Sequence, residues 1–130
     1  MVIAQRQCRN PLPGTLVPVP WAEVPTAQVQ IAPAPPEGEA VPVAEGVLWL
    51  RLPLPMALDH VNVFALDDGD GWTIVDTGFS SNRAKAIWET LLQGPLAGKP
   101  VTRVIVTHYH PDHIGLAGWF QSRGAELVTT

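Results

Sequence analysis

From Gly46 onward, short apolar runs alternate with polar, glycine-rich breaks. Val47-Leu48-Trp49-Leu50-Arg51-Leu52 reads as a strand, ended by Pro53 and Pro55, whose rings remove ladder donors. Val61-Asn62-Val63-Phe64-Ala65-Leu66 reads as a second strand. Trp72-Thr73-Ile74-Val75-Asp76 returns from it across the turn Asp67-Asp68-Gly69-Asp70-Gly71. That acidic turn has the composition of a calcium loop without the spacing of an EF-hand, so it is read as a solvated hairpin turn. Thr77-Gly78 closes the strand. Ser80 or Ser81 then caps a helix over residues 82–93, where Ala84, Ile87, Trp88, Leu91 and Leu92 recur at three- and four-residue spacing, and Gly94-Pro95 stops it. Val101 to Thr107 predicts a further strand. Ile114, Leu116, Ala117, Trp119 and Phe120 predict one helix closed by Gly124, and Ala125 to Thr129 opens another strand. Strands alternating with helices predict an α/β layered domain over residues 46–130. No internal repeat is visible.

Residues 1–45 have a different texture. They hold nine of the fourteen prolines, and stretches such as Val17-Pro18-Val19-Pro20 and Ala32-Pro33-Ala34-Pro35-Pro36 favour extended conformation. The segment is read as a largely irregular arm, with Trp21 and Ile31 as its anchors. No basic residue flanks a PxxP, which argues against a proline-rich recognition ligand. Over the whole chain, 46% of residues are hydrophobic, enough for a packed core, and 15% are charged. The net charge of −4 is spread without a basic block, which argues against a nucleic-acid partner. Cys8 is the single cysteine, so no intrachain disulfide forms. Neither a signal peptide nor a membrane span is read from the sequence, and a cytoplasmic location is the expectation.

The densest chemistry lies in His108-Tyr109-His110-Pro111-Asp112-His113, which carries three of the four histidines. The segment follows a β-branched run and precedes an apolar, helical one. His108 and His110 lie two apart just past a strand end, and a strand end, a tight turn and a helix start can deliver four donors into one small volume. Pro111 supplies a fixed backbone angle for that turn. Asp112 and His113 follow at the first helical turn, with Asp112 placed where an N-cap belongs. Imidazole and carboxylate donors suit zinc, and also iron or manganese. A mononuclear structural zinc site is a rival reading, but the spacing does not match cysteine-rich structural sites.

In Thr107-His108-Tyr109-His110-Pro111-Asp112-His113-Ile114-Gly115, together with the upstream Thr73-Ile74-Val75-Asp76-Thr77-Gly78, the chain resembles the metallo-β-lactamase-fold hydrolase superfamily. The resemblance runs from Ala44 to Thr130. It implies an α/β fold, the N-terminal half of an αβ/βα four-layer sandwich with a site between two similar halves. It implies two divalent metal ions, zinc foremost, with His108 and His110 on the first and Asp112 and His113 on the second. Asp112 would be the catalytic carboxylate, and Asp76 would hydrogen-bond the metal loop from beneath. A strand-end turn aspartate is the competing reading of Asp76. Three further ligands, a His, a bridging Asp and a final His, are implied from later sequence, and none is present up to Thr130. The expectation is a truncated domain whose partner is its missing C-terminal half. His60, entering a strand that runs towards the site, and Tyr109, between ligands, are candidates for the substrate pocket. A structural histidine and a packing tyrosine are the competing readings.

The reaction implied by the resemblance is hydrolysis of an ester, thioester, lactone or related bond in a small molecule by metal-activated water, as in glyoxalase II-like enzymes. An iron-dependent sulfur dioxygenase of the same fold is the redox alternative. A non-catalytic metal-binding or partner-docking fragment is the other.

Overall fold

The computed structural model describes residues 33–130. The expectations for Cys8, Trp21 and Ile31, and for most of the proline-rich arm, fall outside those residues. Six strands form one sheet in sequence order: β1 Val41–Ala44, β2 Val47–Pro53, β3 His60–Asp67, β4 Trp72–Val75, β5 Val101–Val106 and β6 Glu126–Thr129. The first four form an antiparallel meander, and β5 and β6 run parallel to β4. Parallel neighbours require crossovers. Helix α1 (Asn82–Gln93) supplies the first, and the short helices α2 (Pro111–Ile114) and α3 (Ala117–Gln121) supply the second. Among the described residues no helix is long and apolar enough to cross a membrane.

The periodicity reading carries over to β2, β3, β5, β6 and α1, with ends shifted by a residue or so. The cap of α1 is Ser81, whose side chain accepts a hydrogen bond from Ala84 N at 3.0 Å. Three details differ. Strand β1 lies inside the segment expected to be irregular: Val41 pairs with Trp49 across a turn at Glu45 and Gly46, and an edge strand tolerates Pro42. Strand β4 stops at Val75, because Asp76 takes a left-handed backbone angle, φ 63°. The single helix expected from Ile114 to Phe120 is two short ones, broken at Gly115 and Leu116.

That break has a tertiary cause. The Thr77 hydroxyl donates to His113 O at 2.8 Å and accepts from Leu116 N at 3.0 Å, taking backbone groups that a continuous helix would pair internally. A Cβ on Gly115 would stand 2.6 Å from both Gly78 O and Ser80 N, so only glycine allows the loop to pass this close to the β4–α1 connection.

Paired residues share a face of the sheet. Leu50, Leu52, Val61, Val63, Ala65, Ile74, Val104 and Val106 line one face, none more than 7% exposed. Helix α1 covers it with Ala84, Ile87, Trp88 and Leu91, and α3 adds Phe120, edge-on to Trp88 with centroids 4.8 Å apart. On the opposite face Trp49, Phe64, Val75 and Ile105 are only partly buried, and Val128 is exposed. The carboxyl ends of β4 and β5 emerge side by side at one end of the sheet, where open α/β sheets place their ligand sites.

Candidate metal centre

Asp76 follows β4, and Thr107 and His108 follow β5. The register Val75 with Ile105 therefore brings these residues together. Asp76 is 6% exposed, and its carboxylate takes three donors. Thr107 N donates to Oδ1 at 2.8 Å, the Thr107 hydroxyl lies 2.8 Å from Oδ2, and His113 Nδ1 lies 2.8 Å from Oδ2. Burial alone would raise the Asp76 carboxyl's pKa. The hydrogen bonds from the Thr107 amide, His113 and the Thr107 hydroxyl outweigh it and hold the group below the usual aspartate value, so it is ionised. The left-handed angle aims this side chain across the strand ends instead of along β4, and aspartate is among the few residues that tolerate it.

The three imidazoles of the motif form one cluster. The His108 ring centroid lies 3.9 Å from that of His113 and 4.7 Å from that of His110. His110 caps α2 through its backbone carbonyl, which accepts from His113 N and Ile114 N, while its ring stays exposed. Asp112 is not the N-cap that the spacing suggested. Pro111 takes the first helical position, where its missing N–H is no loss, and Asp112 falls in the first turn with its side chain free to face His113.

The donor set can be tested for its fit to a metal. His113 Nδ1 is committed as a donor to the ionised Asp76, so in the neutral ring Nε2 carries the lone pair. That nitrogen faces Asp112 Oδ2 at 3.2 Å. In that tautomer two electron-pair donors face each other, an arrangement that a proton or a metal ion between them relieves. Among the described residues no group of three or more His, Cys, Asp or Glu side chains is arranged to hold a metal ion. The donor types suit a divalent metal, while their placement leaves them short of a metal-holding group.

The sequence model of the Metallo-beta-lactamase superfamily matches residues 56–127, more than half of the chain. The chain belongs to that superfamily. A Bacillus subtilis (strain 168) protein named "Probable metallo-hydrolase YqjP" is 35% identical over 77 residues, 58% of this chain and 24% of the relative. Among solved structures, a β-lactamase domain protein from Burkholderia ambifaria is 48% identical with a TM-score of 0.67, over 72% of this chain and 32% of that one. A metallo-beta-lactamase family protein from Thermus thermophilus is 32% identical with a TM-score of 0.60, over 65% and 29%. The chain therefore spans about a quarter to a third of the length of these superfamily relatives.

The two candidate pocket residues lie apart. Tyr109 is 81% exposed beside His110, with ring centroids 5.1 Å apart. His60 starts β3 at the same end of the sheet, but its ring pairs with Asp59. It lines a cleft of about 330 Å³ with Glu37, Arg51, Leu54 and Arg83, to which none of residues 107–113 contributes. Thr77 and Thr107, which hold the loop, carry no role in the sequence reading. Their one signal was position, each a threonine beside a key acidic or imidazole residue at a strand end.

Proposed function

We propose that this chain carries part of a binuclear metal-hydrolase centre, with His108, His110, Asp112 and His113 as metal ligands and Asp76 as the residue that orients them. One observation carries the reading: His113 Nε2 and Asp112 Oδ2 face each other at 3.2 Å within a cluster of three histidines. Superfamily membership supports hydrolase chemistry, and the coverage of the relatives supports ligands contributed by polypeptide beyond these residues.

The substrate class proposed is a small molecule with an ester, thioester or lactone bond, and zinc is the proposed metal. Bound divalent metal supplies a Lewis acid that acidifies water and polarises the scissile bond. The chain's own residues set the conditions for that. Asp76 accepts from His113 Nδ1 and so directs Nε2 outward. Asp112, whose carboxylate faces His113 Nε2, is placed to orient the attacking water and to accept its proton. Tyr109, at the exposed rim, is available to contact substrate. The oxygenase alternative keeps the same ligands, and no observation here favours it.

Metal titration of the chain tests the proposal. Zinc binding monitored by competition with a chromophoric chelator should be saturable and be lost in His108→Ala and His113→Ala. A chain that binds no zinc, or binds it equally well in both variants, would remove the reading. A full-length relative carrying the same variants should lose hydrolysis of an activated thioester or lactone.

A further inference from the structure

The Thr107 hydroxyl stands between Asp76 and His108. It lies 2.8 Å from Asp76 Oδ2, 3.0 Å from Asp76 Oδ1 and 2.9 Å from His108 Nδ1. A hydroxyl has one proton to donate and lone pairs to accept with. The ionised Asp76 carboxylate can only accept, so the Thr107 proton must point to it. The reverse orientation would set Oγ lone pairs against a carboxylate at 2.8 Å. The Oγ lone pairs are then what His108 Nδ1 meets, and Nδ1 must be the donor. The neutral ring is left with its lone pair on Nε2.

We propose that Thr107 is a positioning residue, a one-hydroxyl relay through which Asp76 sets the tautomer of His108 and turns its Nε2 towards the metal. The final clause rests on the metal-ligand reading above, whereas the tautomer itself does not. Asp76 thereby orients two histidines, His113 by direct contact and His108 through Thr107. These are the histidines whose rings lie 3.9 Å apart, assigned above to different metals. Partners of this kind fix ring orientation and raise ligand basicity in metal sites. The relay depends on the left-handed turn at Asp76, which lets one carboxylate reach both the β5 end and α2.

The test compares Thr107→Val, which keeps the shape and removes the hydroxyl, with Thr107→Ser, which keeps the hydroxyl. Thr107 is exposed, so neither variant should disturb the core. Long-range proton–nitrogen correlation spectra of the histidine-labelled, metal-free chain would be recorded at pH about 8.5, above the usual imidazole titration near 6.5. The unsubstituted chain and Thr107→Ser should show His108 protonated at Nδ1, and Thr107→Val should shift it towards the Nε2–H form. Zinc affinity should fall roughly 10- to 100-fold in Thr107→Val and recover in Thr107→Ser, with the fold retained by circular dichroism in both. A His108 already protonated at Nε2 in the unsubstituted chain, or a tautomer indifferent to Thr107→Val, would overturn the relay. If the tautomers behave as stated but no form binds zinc, the relay stands and the metal-centre reading is what fails.

Discussion

At Asp76, one carboxylate holds the ends of two strands and a helix together through Thr107 and His113. Asp76→Asn tests its charge with little change of shape, because asparagine also tolerates the left-handed backbone angle. Its amide would still accept from Thr107 N but would present a donor to His113 Nδ1. We expect zinc affinity to drop roughly 10- to 100-fold, measured by chelator competition, with the fold retained by circular dichroism. Gly115 is a second residue under constraint. An added Cβ would meet only backbone atoms, Pro111 O, Gly78 O and Ser80 N, all within 2.6 Å. Backbone cannot rotate aside as a side-chain tip can, so Gly115→Ala should cost about 1–3 kcal/mol in urea unfolding, as over-packing does. Neither constraint shows in the amino-acid string, since both depend on which segment lies opposite.

Among the elements, α1 shows how far local pattern reaches. Its cap, its apolar stripe and its Gly94-Pro95 stop are all local, and the helix lies where they place it. Ser81→Ala should lower stability by about 1 kcal/mol through the unmet Ala84 N–H, seen as a lower melting temperature. Trp88 does more than fill the core. Its Nε1 donates to Thr77 O at 2.9 Å, tying α1 to the connection that holds the histidine loop. Trp88→Ala should therefore cost about 3–5 kcal/mol in denaturant unfolding, from the cavity it opens. The region 111–121 marks the limit of such reasoning. Its apolar residues recur as in one helix, yet Thr77, far away in sequence, takes His113 O and Leu116 N and splits it. Strand β1 escaped the reading for a related reason: four residues with a proline carry little signal until β2 is there to pair with them.

For the molecule as a whole, the sheet is unequally covered. One face is sealed by α1 and α3, while Trp49, Phe64, Val75, Ile105 and Val128 leave apolar surface on the other. Contiguous apolar surface of this kind invites association. The chain should bind an apolar fluorescent dye, and the double variant Phe64→Thr, Ile105→Thr should lower that fluorescence and any light scattering while leaving zinc uptake intact. Loss of zinc uptake together with dye binding would mean that this face supports the metal loop after all.

The sequence by itself determined the elements whose signals are local and the residue types of the candidate centre. Strands declare themselves by short apolar runs, α1 by its period and cap, and the histidine motif by donors packed into six positions. Tertiary structure decided what those donors face. The parallel register of β4 with β5 brought Asp76 to Thr107, and the turn into α2 brought the His113 ring against that of His108, which also meets that of His110. Hydrogen-bond polarity, and with it the tautomer of each histidine, is a property of partners in space, which is why the roles of Thr77 and Thr107 appear only in the folded chain.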